Sequence, residues 1–377
     1  MHKVIHSESI KSALAARGWT QAQLAKQLGE SPQLVSLWLK GETFPSPAKL
    51  LKLATTLKLG FDKLVEPSAN QPMIAFRKKA GAKTTDEHIV KARGMGELLK
   101  PLVAYLPQQQ ALHTLLPSPS TGYIPLQVAA AQVRAKIGIG ASATLEYSHL
   151  IGEFKQNDAI LVPVLWGEKQ NHKNALHILL RSENVTFVYL NLDTRLEDFK
   201  FWMAHELAHV YTPGLAGTEE GEDFADAFAG ALLFPQACAE QAYAQAMRAR
   251  GEKGQMAVLQ RHAADHSISV YTVFRETQGF AQSKGLAPLS VDEKALHALR
   301  NSQRGELVSA SLFKPGPPKP QELIALTAKL FQSDFFLALQ RLLNDRGGSE
   351  SYVQQVLDVP LRDGLALFEV LSGAQVS

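Results

Sequence analysis

Two runs constrain this chain most: F-W-M-A-H-E-L-A-H at 201–209, and E-D-F-A-D-A-F-A-G-A-L-L-F-P at 222–235. Upstream of the first, Thr194 and Glu197 have the T-x-x-E spacing of a capping box, which predicts a helix from there to about Tyr211. His205 and His209 are four apart on it, so they share a face with Cβ atoms about 5–6 Å apart. That lets both imidazoles reach one zinc at about 2.0–2.1 Å. Glu206 is rotated by one residue and stands beside the metal, where it can take a proton from a water molecule. Cys238 is the only cysteine, so a metal site here must use histidine and carboxylate ligands. A catalytic zinc needs three protein ligands and one open position. The second run offers the third, because Glu219, Glu220, Glu222, Asp223 and Asp226 crowd its start. Glu222 and Asp226 share a face. Glu222 can ligate, while Asp226 accepts the free N–H of a ligating histidine and fixes its tautomer. A helix dipole also favours an acidic first turn, which accounts for Glu219 and Glu220 better than for Glu222. The expected cofactor is one Zn2+ per chain.

H-E-x-x-H on one helix and E-x-x-x-D on the next is the arrangement of a gluzincin-type peptidase. Together the two runs resemble the ImmA/IrrE (M78-type) metallopeptidases, whose pattern is A-H-E-L-G-H and then E-x-E-A-[ND]-x-F-A-x-x-L-L-M-P. The chain departs from it at Ala208, Phe224 and Phe234, none of them a ligand position. The resemblance covers roughly 74–280. It implies His205, His209 and Glu222 as ligands and Glu206 as general base. It implies that V-T-F-V-Y-L-N at 185–191 is the active-site edge strand, to which a substrate peptide adds, and that residues 259–276 form a small helical pair. The implied activity is limited cleavage of a repressor-type transcription factor in response to stress or a mobile element. Tyr211, His266 and Tyr271 are candidate donors to the oxyanion. His262 and His266, though four apart, read as surface helix residues, and His172 and His177 merely flank a hairpin.

A second motif lies at the other end. G-W-T-Q-A-Q-L-A-K-Q-L-G-E-S-P-Q-L-V-S-L-W-L-K-G, at 18–41, resembles the helix-turn-helix of the XRE/Cro/C1 repressors, over about residues 8–65. The resemblance implies that Gln21 meets phosphate, that Gly29 makes the turn and that Ala25, Val35 and Trp38 pack the two helices. The recognition helix would run from Pro32 to Leu39 and present Ser31, Gln33, Ser36, Leu37 and Lys40 to the major groove. Gln33 is the best base reader, since its amide can pair with adenine. Residues 1–66 hold nine Lys/Arg and five Asp/Glu, a net of +4, against +3 for the whole chain. Phosphate binding therefore belongs at this end. A single module binds weakly, which makes a homodimer an expectation. The head could instead pair with a protein, such as the substrate's own helix-turn-helix.

The expected fold class is α+β, mostly α, in three parts. These are a helix-turn-helix domain at 1–67, a peptidase domain with a small antiparallel or mixed sheet at 74–285, and a small helical region at 321–377. Nothing in the head reads as a strand. Residues 67–75 read as a linker, followed by the basic stretch Arg77, Lys78, Lys79 and Lys83; K-P-G-P-P-K-P at 314–320 reads as a second linker. The start lacks a secretory apolar region, and the longest apolar run, 159–166, is too short to span a bilayer. A soluble cytoplasmic protein without membrane contact is expected. The function these features predict is a regulatory zinc peptidase that cleaves an XRE-type repressor. Its rivals are a transcriptional regulator that uses the peptidase-like domain only as a sensor, and an antitoxin-like binder whose structural metal is closed by a fourth ligand.

Overall fold

Short apolar blocks separated by capping residues build the N-terminal unit, Met1–Gln71. In the computed structural model, residues 4–66, 72–75, 86–107, 115–167, 175–302, 305–314 and 316–373 are described. The head's helices are α1 (Ser7–Ala15), α2 (Gln21–Leu28), α3 (Pro32–Leu39), α4 (Pro47–Leu57) and α5 (Phe61–Leu64). Thr20 accepts from the Gln23 amide at 3.3 Å while the Gln23 side chain accepts the Thr20 N–H at 2.7 Å, so α2 starts on a complete capping box. Gly29, at φ 65°, ends α2 in the left-handed conformation that glycine adopts freely. Ile10, Leu24, Ala25, Val35, Trp38, Leu53 and Leu57 fill a core of the head's own. Contrary to the all-helical expectation, strand β1 (Val4–Ile5) pairs antiparallel with β2 (Val65–Glu66), bringing the two ends of the head together.

The second unit, Pro72–Ser377, is built on a four-stranded mixed sheet. Its strands are β3 (Met73–Ala75), β4 (Ala159–Val164), β5 (Ala175–Leu180) and β6 (Val185–Asn191), in the order β3-β5-β6-β4. Only the β4–β6 pair is parallel. This corrects two readings. The edge strand implied for V-T-F-V-Y-L-N is an interior strand: β6 is apolar and buried on both faces, as such strands are. Residues 73–75 of the first linker form the short strand beside β5; residues 67–71, and 76–85 with Arg77, Lys78, Lys79 and Lys83, lie outside the described residues.

Helices α6 (Asp86–Leu99), α7 (Tyr123–Ile137), α8 (Tyr147–Gln156), α9 (Leu196–Tyr211), α10 (Glu219–Leu233), α11 (Gln236–Arg248), α12 (Gly251–His266) and α13 (Val270–Ser283) pack about the sheet. They are followed by α14 (Glu293–Ser302), α15 (Val308–Leu312), α16 (Pro320–Lys329), α17 (Phe335–Arg346), α18 (Glu350–Leu357) and α19 (Leu361–Ser372). Strand alternation sends His177 of β5 toward α9, and Ile178 toward α6, where its methyl would stand 3.2 Å from a Cβ at Gly96. On β6, Phe187 meets Phe335 edge-on at 6.4 Å, and the Tyr189 hydroxyl donates to the Val356 carbonyl at 2.8 Å. The sheet thus has α9 on one face and α6, α17 and α18 on the other. The region read as 321–377 is this second layer. Its apolar residues belong to the same core as α9 and α10, and residues 374–377 lie outside those described. Among the described residues no helix is long and apolar enough to cross a membrane.

Candidate metal centre

The helix that carries H-E-L-A-H is fixed at its start by tertiary contacts rather than by its own sequence. The capping box read at Thr194 and Glu197 does not form: α9 begins at Leu196 with Arg195 as N-cap, and the Thr194 hydroxyl makes no hydrogen bond. Instead the Leu196 amide donates to the Glu306 carbonyl at 3.1 Å, and the Val308 amide to that of Thr194 at 2.9 Å. Tyr147 donates to the Leu196 carbonyl at 2.7 Å. Lys200 is fully buried, lies over the Tyr147 ring and donates to the His266 carbonyl at 2.8 Å, and burial lowers its pKa. The second helix is set by Thr218, which accepts the Gly221 amide at 3.0 Å, and by Gly221 itself. A Cβ there would stand 2.2 Å from the Leu215 carbonyl oxygen, so only glycine lets α10 start this close to the turn from α9.

That packing brings together residues 205, 209, 222 and 226. His205 Nε2 and His209 Nε2 are 3.2 Å apart. Glu222 places Oε2 3.5 Å from His205 Nε2 and Oε1 3.3 Å from His209 Nε2. Two ligands of a tetrahedral zinc at about 2.0–2.1 Å would be about 3.3 Å apart, so the donor set has the size and chemistry of a zinc site. Neither Glu222 oxygen has a hydrogen-bond partner, although both are buried. His205 Nδ1 is 2.9 Å from Asp226 Oδ1, which turns Nε2 toward the other donors. Among the described residues no other group of three His, Cys, Asp or Glu comes as close together.

The charges reinforce one another. Burial disfavours protonated His205, but Asp226 and Glu222 outweigh it and raise its pKa to about 9. Burial likewise disfavours ionised Glu222, and the two imidazoles outweigh it, lowering its pKa to about 2. Glu206 is 2 % exposed and sits beside the set, on the side facing the sheet.

His177 also belongs here, and the reading of it as a mere hairpin flank is corrected. It is fully buried, with Nδ1 3.5 Å from Glu206 Oε2 and its ring 5.5 Å from that of His209. One signal pointed to it: A-L-H-I-L-L places a single polar residue inside an apolar strand. The candidate oxyanion donors are not at the centre. Tyr211 donates to Glu153 at 2.5 Å, and the His266 ring packs on Phe234. Tyr271 packs tilted against His297 and lines, with Asp226 and Trp202, a cleft of about 50 Å³. His262 and His266 are buried rather than on the surface, His262 with Nε2 3.1 Å from Gln245 Oε1. His172 lies outside the described residues.

In the head, Gln21, Gln33 and Lys40 are exposed and Ser36 is half-buried, while Val35 and Trp38 face the core. Ser31 accepts the Leu34 amide at 3.2 Å; its oxygen is the N-cap of α3, and its hydroxyl proton stays available as a donor.

Residues 10–64 match the helix-turn-helix family model HTH_3. The N-terminal unit is therefore a helix-turn-helix module, and the match supports a DNA-binding, regulatory role for this end of the chain. No curated protein and no solved structure matches the chain.

Proposed function

We propose that this chain is a zinc-dependent endopeptidase whose regulatory head is of the DNA-binding type, and that its substrate is a protein, an XRE-type repressor. One observation carries the reading: two Nε2 atoms and one carboxylate converge at zinc-ligand spacing, with a buried Glu206 beside them. His205, His209 and Glu222 would hold the metal, which when bound polarises a carbonyl and makes water a better nucleophile at neutral pH. Glu206 takes the proton of the attacking water and returns it to the leaving amine. Asp226 keeps His205 in the tautomer that presents Nε2. A substrate strand cannot add to β6, which is paired on both sides; among the described residues the sheet edge next to the His177 strand is that of β3. A repressor substrate is inferred from the family resemblance of the metal motifs and from the head, which marks a regulatory rather than a digestive enzyme.

The test is co-expression with the repressors encoded nearby, comparing the wild type with Glu206→Gln. Repressor fragments should form with the wild type and fall by about 10²–10⁴-fold with the variant. Equal fragmentation by both would remove the catalytic assignment. One observation favours a second reading, a sensor that never cleaves: Glu206 is 2 % exposed, so a peptide reaches it only after the site opens. A sensor would keep its regulatory output in Glu206→Gln and lose it in His209→Ala.

A further inference from the structure

His177 stands on an interior strand among apolar neighbours, yet neither ring nitrogen has a hydrogen-bond partner. Its ladder partners are Ala75 and Val188, which offer it nothing polar from their side chains. A buried imidazole in that state is destabilising unless some polar group uses it. The polar groups near it are those of the metal centre: Glu206 Oε2 at 3.5 Å, itself buried and without a hydrogen bond, and the edge of the His209 ring. The three donors form a complete set without His177, so a fourth-ligand role is not what its position offers. The ring carries at least one N–H to donate in either protonation state. The separation of 3.5 Å is slightly beyond a hydrogen bond of about 2.7–3.2 Å.

We infer that His177 is a positioning residue, which holds the Glu206 carboxylate from the sheet side and so fixes where the general base stands relative to the three donors. The inference rests on the peptidase reading for its catalytic consequence, although the contact itself can be measured without a substrate. A base displaced by about 1 Å loses on the order of 10²-fold in rate, so one buried histidine on β5 has a large effect without touching substrate. It also ties the sheet to α9: a shift of β5 would move the base directly.

The experiment uses the full-length chain. In the EDTA-treated protein, a double-mutant cycle of His177→Leu and Glu206→Met should be non-additive by about fivefold or more in the unfolding constant. With Co2+ bound, the visible spectrum of His177→Leu should match the wild type, because no ligand has been removed. Against a mixed library of quenched fluorescent peptides, His177→Leu should lower kcat by about 30-fold or more with little change in KM, and His177→Gln, which keeps an N–H donor, should recover most of it. An additive cycle overturns the inference. So does a changed cobalt spectrum, which would make His177 a ligand, or a glutamine variant no better than leucine. If the wild type cuts neither the peptides nor a co-expressed repressor while the coupling persists, the peptidase reading fails and the His177–Glu206 contact stands.

Discussion

Asp226 gives one carboxylate oxygen to His205 Nδ1 at 2.9 Å while its side chain remains 30 % exposed. It can be removed without opening a core cavity, so Asp226→Ala tests the candidate metal centre through a hydrogen bond rather than through packing. The expected result is a zinc affinity lower by about 10–100-fold, measured by chelator competition, and a lower unfolding midpoint in EDTA, because His205 Nδ1 is left buried without its acceptor. Equal affinities would show that His205 does not present Nε2 to a metal. A second side chain supplies a pH test away from the centre. Burial raises the Glu276 pKa to about 8, against an ordinary value of 4.5, with Arg275 opposing the shift and Gln127 donating at 3.4 Å. Between those two values the unfolded chain is ionised while the folded chain keeps the proton, so stability falls as pH rises through this window. Glu276→Gln should flatten that decline, as read from urea midpoints at several pH values from 5 to 8.5. The same decline in the variant would assign the dependence to other groups. At this scale the sequence was readable wherever a constraint is local. The i, i+4 spacings in α9 and α10 put residues 205, 209, 222 and 226 on facing sides of two helices. His177 was not readable, because its partner lies on another element and its own strand explains nothing about it.

Elements were misread where a distant segment competes with a local signal. Thr194 and Glu197 have the spacing of a cap, but the backbone at 306–308 takes the hydrogen bonds a cap would have made. Thr20 and Gln23 have a comparable spacing with no such competitor, and their capping box forms. The edge position of β6 was what the family resemblance implied, and nothing in its own sequence shows that β4 pairs with it. Helix α18 shows how far such distant contacts reach. The Val356 carbonyl would look to the amide of residue 360, which is proline and has none. The Tyr189 hydroxyl donates to it instead at 2.8 Å, and Trp166 Nε1 donates to the Leu357 carbonyl at 3.0 Å. Tyr189→Phe leaves the first carbonyl buried and unpaired, which should destabilise the unit by about 1–3 kcal/mol. A urea midpoint unchanged in this variant would show that water replaces the hydroxyl.

At the scale of the whole molecule, the question is whether residues 314–377 are an appendage or part of the fold. The prolines at 315, 317, 318 and 320 make the sequence look divided there. Yet Pro317, Pro318 and Pro320 line one cavity with Pro163–Leu165 at the end of β4, and α17 and α18 cover the sheet face opposite α9. Removing them would expose Phe187 and Tyr189, both fully buried, on β6, the strand that pairs with the His177 strand β5. A chain ending at Phe313 should therefore aggregate or unfold and lose the proposed zinc site, although all three candidate ligands are still present in it. The head has the opposite character: residues 1–66 hold a closed core of their own with paired ends, and about 60 residues can suffice for a marginal domain. That fragment should unfold cooperatively by itself. Circular dichroism melts and zinc titrations of the two truncated chains decide the matter together. A 1–313 chain that melted like the full protein and bound one zinc would make the C-terminal helices a separable appendage. A loss of the metal centre there would make them the support on which the sheet, Glu206 and the ligand helices depend.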